Sequence, residues 1–164
     1  MKTLRVEFVN PFLESTYNFF SSMLSAKARR GMPGLSDGSK RPNEVLALIG
    51  ISGKVRGSLA ISMPIETAMA IAERLTGTAS SDFDDLVSDC LGELVNIIAG
   101  GAKAKLSELL GTTLDLTLPT VIRGGSYEMY SPSQVRWLEV PFTSELGPFA
   151  LRVTLDTSGL PKTT

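Results

Sequence analysis

The chain has 164 residues, of which 43% are apolar and 20% charged, with a formal net charge of −1 at pH 7. That size and balance suit one globular domain, and charge this close to zero provides no electrostatic case for nucleic acid or an anionic membrane. There is no histidine and only one cysteine, Cys90, which excludes an internal disulfide, a thiolate metal cluster and any serine nucleophile with a histidine partner. Chemistry is left to carboxylates, amides, hydroxyls, lysine and arginine, or to a cofactor that a partner brings. The opening MKTLRVEFVNPF lacks the apolar run of a signal peptide, and no stretch approaches the ~18 apolar residues of a membrane span. A cytoplasmic protein without membrane insertion is the expectation.

In chain order, Leu4–Val9 reads as a short strand, and Asn10-Pro11 as the cap and first turn of an amphipathic helix to about Ala28. Gly31–Asn43 is a loop by its Gly, Pro and Ser content; Lys27, Arg29, Arg30, Lys40 and Arg41 lie in or beside it as a solvated basic cluster. Val45–Ser52 is nearly all apolar, as in a strand buried on both faces. Val55–Met63 alternates, and the Ser52-Gly53-Lys54 step joins the two as a hairpin. Pro64 opens a second helix ending at Gly77. Ser81 with Asp84 is a cap for a third, longer helix to about Leu109. Strands are expected near Leu114–Ile122, Gln134–Phe142 and Phe149–Leu155, with Thr143–Pro148 as a turn, Pro141 marking an edge or bulge, and a loose tail from Ser158. Helix followed by strands occurs twice. The fold class expected is α+β, a mainly antiparallel sheet with long helices packed against it in pseudo-repeated halves, as one domain over 1–157 with a tail over 158–164.

The third helix separates into two faces at 100° per residue. Val87, Cys90, Leu91, Leu94, Val95, Ile97, Ile98, Gly101 and Ala102 fall on the apolar side. Asp85, Asp89, Glu93, Asn96, Lys103 and Ser107 fall on the other, in a stripe about 80° wide. Lys105 falls among the apolar residues, where it would have to snorkel to water. Asp89, Glu93 and Asn96 stand at i, i+4 and i+7, as neighbours along the rod. Gly92 and Gly100 project on or beside the same stripe. Glycine inside a helix costs about 0.5–1 kcal/mol against alanine, a cost that a solvated face has no reason to carry and a close-docking face has.

The run Asp89-Cys90-Leu91-Gly92-Glu93-Leu94-Val95-Asn96-Ile97-Ile98-Ala99-Gly100 resembles the active-site helix of the CheC/CheX/FliY chemotaxis phosphatases, whose signature is an acidic residue or serine, three spacers, Glu, two spacers, Asn. The likeness is nearest to the CheX branch. It extends to Asn10-Pro11-Phe12, the hairpin at Gly53, and Leu118-Pro119-Thr120-Val121. Two-site members carry a second Glu-x-x-Asn on the first helix; here Glu14 is followed by Tyr17 at that spacing and Asn18 falls one place late. The first helix is therefore assigned no catalysis.

The resemblance implies a phosphorylated CheY-like receiver domain as substrate, with the phosphoryl group on an aspartate and Mg2+ held by that receiver, so that this chain binds no cofactor or metal of its own. It implies that Asn96 orients the attacking water and Glu93 pairs with the receiver's lysine. Asp89, Gly92, Gly100 and Lys103 would form the surrounding partner-binding face. A homodimer paired through its sheets is expected by the same analogy. The alternative reading is a non-catalytic binding module for a receiver or another signalling protein; a small-molecule sensor or structural dimer is a third.

Overall fold

The computed structural model describes residues 5–36, 44–124 and 136–161. The first helix, α1, runs over Val6–Met23, so the strand expected at Leu4–Val9 is absent from its described part. Phe8, Val9, Phe12, Phe19 and Phe20 are all buried, and their spacing follows the helical period rather than the two-residue alternation of a strand. Asn10-Pro11 accordingly lies inside α1, not at its start, and Pro11 supplies no N–H to the carbonyl one turn back. The helix ends sooner than Ala28, because Ser25 takes a left-handed φ of 47° and turns the chain.

Two short strands follow, β1 (Arg29–Arg30) and β2 (Gly34–Ser36), within what the composition marks as loop; positions 37–43 lie outside the described residues. The hairpin β3 (Glu44–Ser52) and β4 (Arg56–Pro64) is in place. Helix α2 (Ile65–Thr76) is closed by Gly77 at φ 72°, a left-handed C-cap that glycine adopts without penalty. Helix α3 covers Asp85–Leu110. The single strand expected over Leu114–Ile122 is two, β5 (Asp115–Leu116) and β6 (Thr120–Ile122), interrupted at Pro119. Strands β7 (Trp137–Thr143) and β8 (Phe149–Asp156) complete the sheet. Within the tail expected from Ser158, the described part, to Pro161, is seated. Leu160 closes a turn onto the Thr157 carbonyl at 3.0 Å and packs against the core.

Among the described residues, eight strands join one antiparallel sheet in the order β1-β7-β8-β4-β3-β5, with β2 also on β7 and β6 also on β3. The order is symmetric about the β8–β4 junction. Each half contributes a helix, a broken pair of short strands and a hairpin, and its short pair adds to the hairpin of the other half. Even the registers correspond: Gly34 opposite Glu139 in one half is matched by Thr120 opposite Leu48 in the other. The Gly31 N–H donates to the Pro141 carbonyl at 2.7 Å, as the Thr117 N–H does to that of Gly50 at 3.0 Å. Pro141 is therefore not on an edge strand. It sits where the flanking ladder passes from β1 to β2, a gap in which its missing N–H is not needed.

The helices cover one face of the sheet. On β4, Leu59, Ile61 and Met63 point into the main core, whereas Ala60 joins Leu46 and Trp137 in a smaller cluster on the opposite face. Phe20, Phe149 and Phe142 stack in series, with ring centroids 4.6 Å and 4.9 Å apart, and tie α1 to β7 and β8. Helices α1 and α3 lie side by side. The Ser15 hydroxyl donates to the Ile98 carbonyl at 2.8 Å, an approach that Gly101 permits, since a Cβ there would stand 2.4 Å from Ser15 Oγ. Lys105 and Glu14 form an ion pair across the same seam, so Lys105 does reach water.

Gly101→Ala should therefore lower unfolding stability by about 1–3 kcal/mol through crowding, and Ser15→Ala by about 1 kcal/mol. The double variant should cost less than the sum in denaturant titrations, because both changes break one contact.

Candidate active site

Helix α3 begins at Asp84, whose carboxylate accepts the Val87 N–H at 3.0 Å. The cap thus lies three residues beyond Ser81: Asp84 serves as the N-cap itself rather than as the reciprocal acid of a capping box. Gly111, at φ 59°, closes the other end. Between these caps Val87, Leu91, Leu94, Val95, Ile98, Ala102 and Leu106 are fully buried, so one face of the rod is committed to the core.

The opposite face carries the residues singled out from the sequence. Asp89, Glu93 and Asn96 are all exposed, and among the described residues their side chains make no hydrogen bond or ion pair. Lys103 is half-exposed. Nothing lies within 4 Å of the place where a Gly100 side chain would start, so that position is open. Gly92 is different. It is buried, and its Cβ position faces Pro119 at 3.7 Å; on this side the glycine receives a segment of the protein itself. Ile97 also departs from its expected face and is 40% exposed. It lies about 40° from Glu93 around the helix at 100° per residue, at the border of the stripe, where periodicity alone cannot assign a side.

Cys90 is buried immediately beneath the stripe. Burial, and after it the charges of Asp89, Asp84 and Glu93, hold its thiol above the ordinary thiol range. Among the described residues, no group of three or more His, Cys, Asp or Glu side chains could hold a metal ion, and no helix is long and apolar enough to cross a membrane. The face is thus a ridge bearing a free carboxylate and a free carboxamide one turn apart, an arrangement that suits insertion into another molecule's site.

A family model for the chemotaxis phosphatase CheX matches residues 45–143. The chain belongs to the CheX family of chemotaxis phosphatases. The CheY-P phosphatase CheX of Thermotoga maritima is 30% identical over 152 residues, covering 92% of this chain and 97% of that protein. A CheC-like superfamily protein from Shewanella has a similar structure, with a TM-score of 0.83 and 30% identity over 93% of this chain and 99% of its own. A CheX in a CheX–CheY–BeF3–Mg2+ complex from Borrelia burgdorferi superimposes with a TM-score of 0.76 and 30% identity, over 92% of this chain and 99% of that one. These relatives span nearly the whole chain, and they bear out the α+β architecture together with the phosphatase family.

Sequence reasoning missed the apolar side chains beside the stripe. Leu86 is 39% exposed, Ile97 40% and Leu118 88%. Leu118 could not be placed from the sequence, because only the fold brings Pro119 against Gly92.

The raised Cys90 thiol makes a directional prediction. Since the folded state disfavours the thiolate, reaction with a thiol-specific alkylating reagent at mildly alkaline pH should be slower in the native protein than in denaturant. The same shift should reduce folding stability as pH rises past the unfolded thiol's range. Glu93→Gln, which removes one of the three charges, should bring the native pH–reactivity profile to lower pH.

Proposed function

We propose that this chain hydrolyses the aspartyl phosphate of a CheY-like receiver, with Asn96 and Glu93 supplied from α3 and Mg2+ held by the receiver. The observation that carries the reading is the exposure of Glu93 and Asn96, one turn apart and unpartnered among the described residues, on a helix whose other face is fixed in the core. Supporting it are a relative described as a CheY-P phosphatase and another described in complex with CheY, BeF3 and Mg2+.

In this mechanism the Asn96 amide orients a water in line with the phosphorus–oxygen bond to the receiver's aspartate. Water oxygen bonds to phosphorus, the acyl-phosphate oxygen leaves with the aspartate carboxylate, and inorganic phosphate departs. An amide is a poor base, so its contribution is alignment, which phosphoryl transfer rewards because its loose transition state needs little covalent assistance. Glu93 pairs with the receiver's lysine and sets the docking register. Asp89 and Lys103 provide flanking polar contacts, and the open Gly100 position lets the partner's backbone approach. Gly92 acts indirectly by seating Pro119. The reading includes one phosphatase domain over residues 1–157, acting as a cytoplasmic homodimer.

Decay of phosphorylated CheY from the source organism, followed by phosphate release, tests it. Asn96→Ala should lower the catalysed rate about 10²–10³-fold. Glu93→Ala should act mainly on KM, with a penalty that shrinks as salt rises. Equal rates for wild type and both variants would reject the mechanism, and binding without acceleration would favour the non-catalytic module.

A further inference from the structure

Leu118 is 88% exposed, yet the segment that carries it is braced on both sides. Thr117 donates its N–H to the Gly50 carbonyl at 3.0 Å and accepts the Gly50 N–H on Oγ1 at 2.8 Å. The same hydroxyl donates to the Leu118 carbonyl at 3.2 Å. Gly50 has no side chain to obstruct this, where a Cβ would come within 2.9 Å of Thr117 Cγ2. On the other side Pro119 rests against Gly92. A single exposed leucine is ordinary; one held in water by this much structure, with its neighbour Pro119 seated on the residue that precedes Glu93, is not.

The placement matters because Gly92 lies on one flank of Glu93 around the helix, and Ile97, 40% exposed, on the other. The carboxylate and carboxamide therefore project between exposed Ile97 and the flank on which the Leu118-Pro119 segment is seated. A molecule that docks on the ridge closely enough to receive Asn96 also approaches that segment.

We propose that Leu118 is a specificity-determining contact for the receiver, packing into an apolar depression beside the phosphorylated aspartate and adding affinity to the docked complex. This rests on the receiver-phosphatase reading above. The contact forms in the ground-state complex and the transition state alike, so it acts on affinity rather than on the chemical step. The fold provides its own control. Met32-Pro33 in the β1–β2 connection corresponds, under the symmetry of the sheet, to Leu118-Pro119 in the β5–β6 connection. Met32 is 86% exposed, but it belongs with the helix that has Tyr17 where the asparagine would be.

The test measures KM for phosphorylated CheY of the source organism and Kd for the same CheY loaded with BeF3 and Mg2+, on Leu118→Ala, Leu118→Asp and Met32→Ala. Leu118→Ala should raise KM and Kd about tenfold, and Leu118→Asp further, with kcat and thermal midpoint unchanged. The Leu118→Ala effect should persist at high salt, unlike that of Glu93→Ala. Met32→Ala should match wild type. The proposal is overturned if Leu118→Ala binds like wild type, if Met32→Ala loses affinity equally, or if kcat falls instead of affinity. Should the wild type bind but not hydrolyse, the phosphatase reading fails while Kd still judges Leu118. Should it neither bind nor hydrolyse, both fall.

Discussion

The orientation of α3 is the constraint from which the candidate site follows. Val87, Leu91, Leu94 and Ile98 are fully buried, and turning the helix by even one residue's angle would bring apolar surface into water at roughly 25 cal/mol per Å2. The exposed stripe has no freedom to be anywhere but outward. Ser15 on the Ile98 carbonyl and Pro119 on Gly92 hold the two sides of the same rod. Precision of this kind matters where a group works by alignment, since an amide that contributes only geometry loses its effect when its support moves.

Much of this was legible in the residues. The two faces of β4, the Gly77 cap and the two-faced pattern of α3 are local signals, and they resolved as read apart from single positions at the borders of α3, although β4 is buried on both faces from Leu59 to Met63. Errors collected where local signals compete or where the partner is distant in sequence. Asn10-Pro11 looks like a helix start because proline suits a first turn, yet the aromatic residues before it had a core to fill. The short strands β1 and β2 carry no period, and they are strands only because β7 lies beside them. Gly92 looked like room for a visitor and proved to be room for Pro119. Fold class and the polar ridge could be read from periodicity; the identity of the ridge's neighbours could not.

The symmetry of the sheet sets α1 and α3 at corresponding places, and their side chains are partnered differently there. In α1, Tyr17 sets its ring edge-on to Phe142, 5.7 Å between centroids, and Glu14 is paired with Lys105. Both side chains at the spacing used by Glu93 and Asn96 are thus occupied within the protein itself. Pseudo-equivalent positions therefore differ in that those on α1 have partners within the protein and those on α3 do not, among the described residues.

The exchange of short strands has a consequence for how the two halves depend on each other. β1 and β2 complete the sheet of the second hairpin, and β5 and β6 that of the first. Neither half closes its own outer row of backbone groups, and each would leave an adhesive border if made alone. The peptide connection between α2 and α3 keeps the complementary borders at high effective concentration. The polypeptide thus behaves as a permanently tethered pair, in which the outer helix face of one member can differ from that of the other without the assembly coming apart.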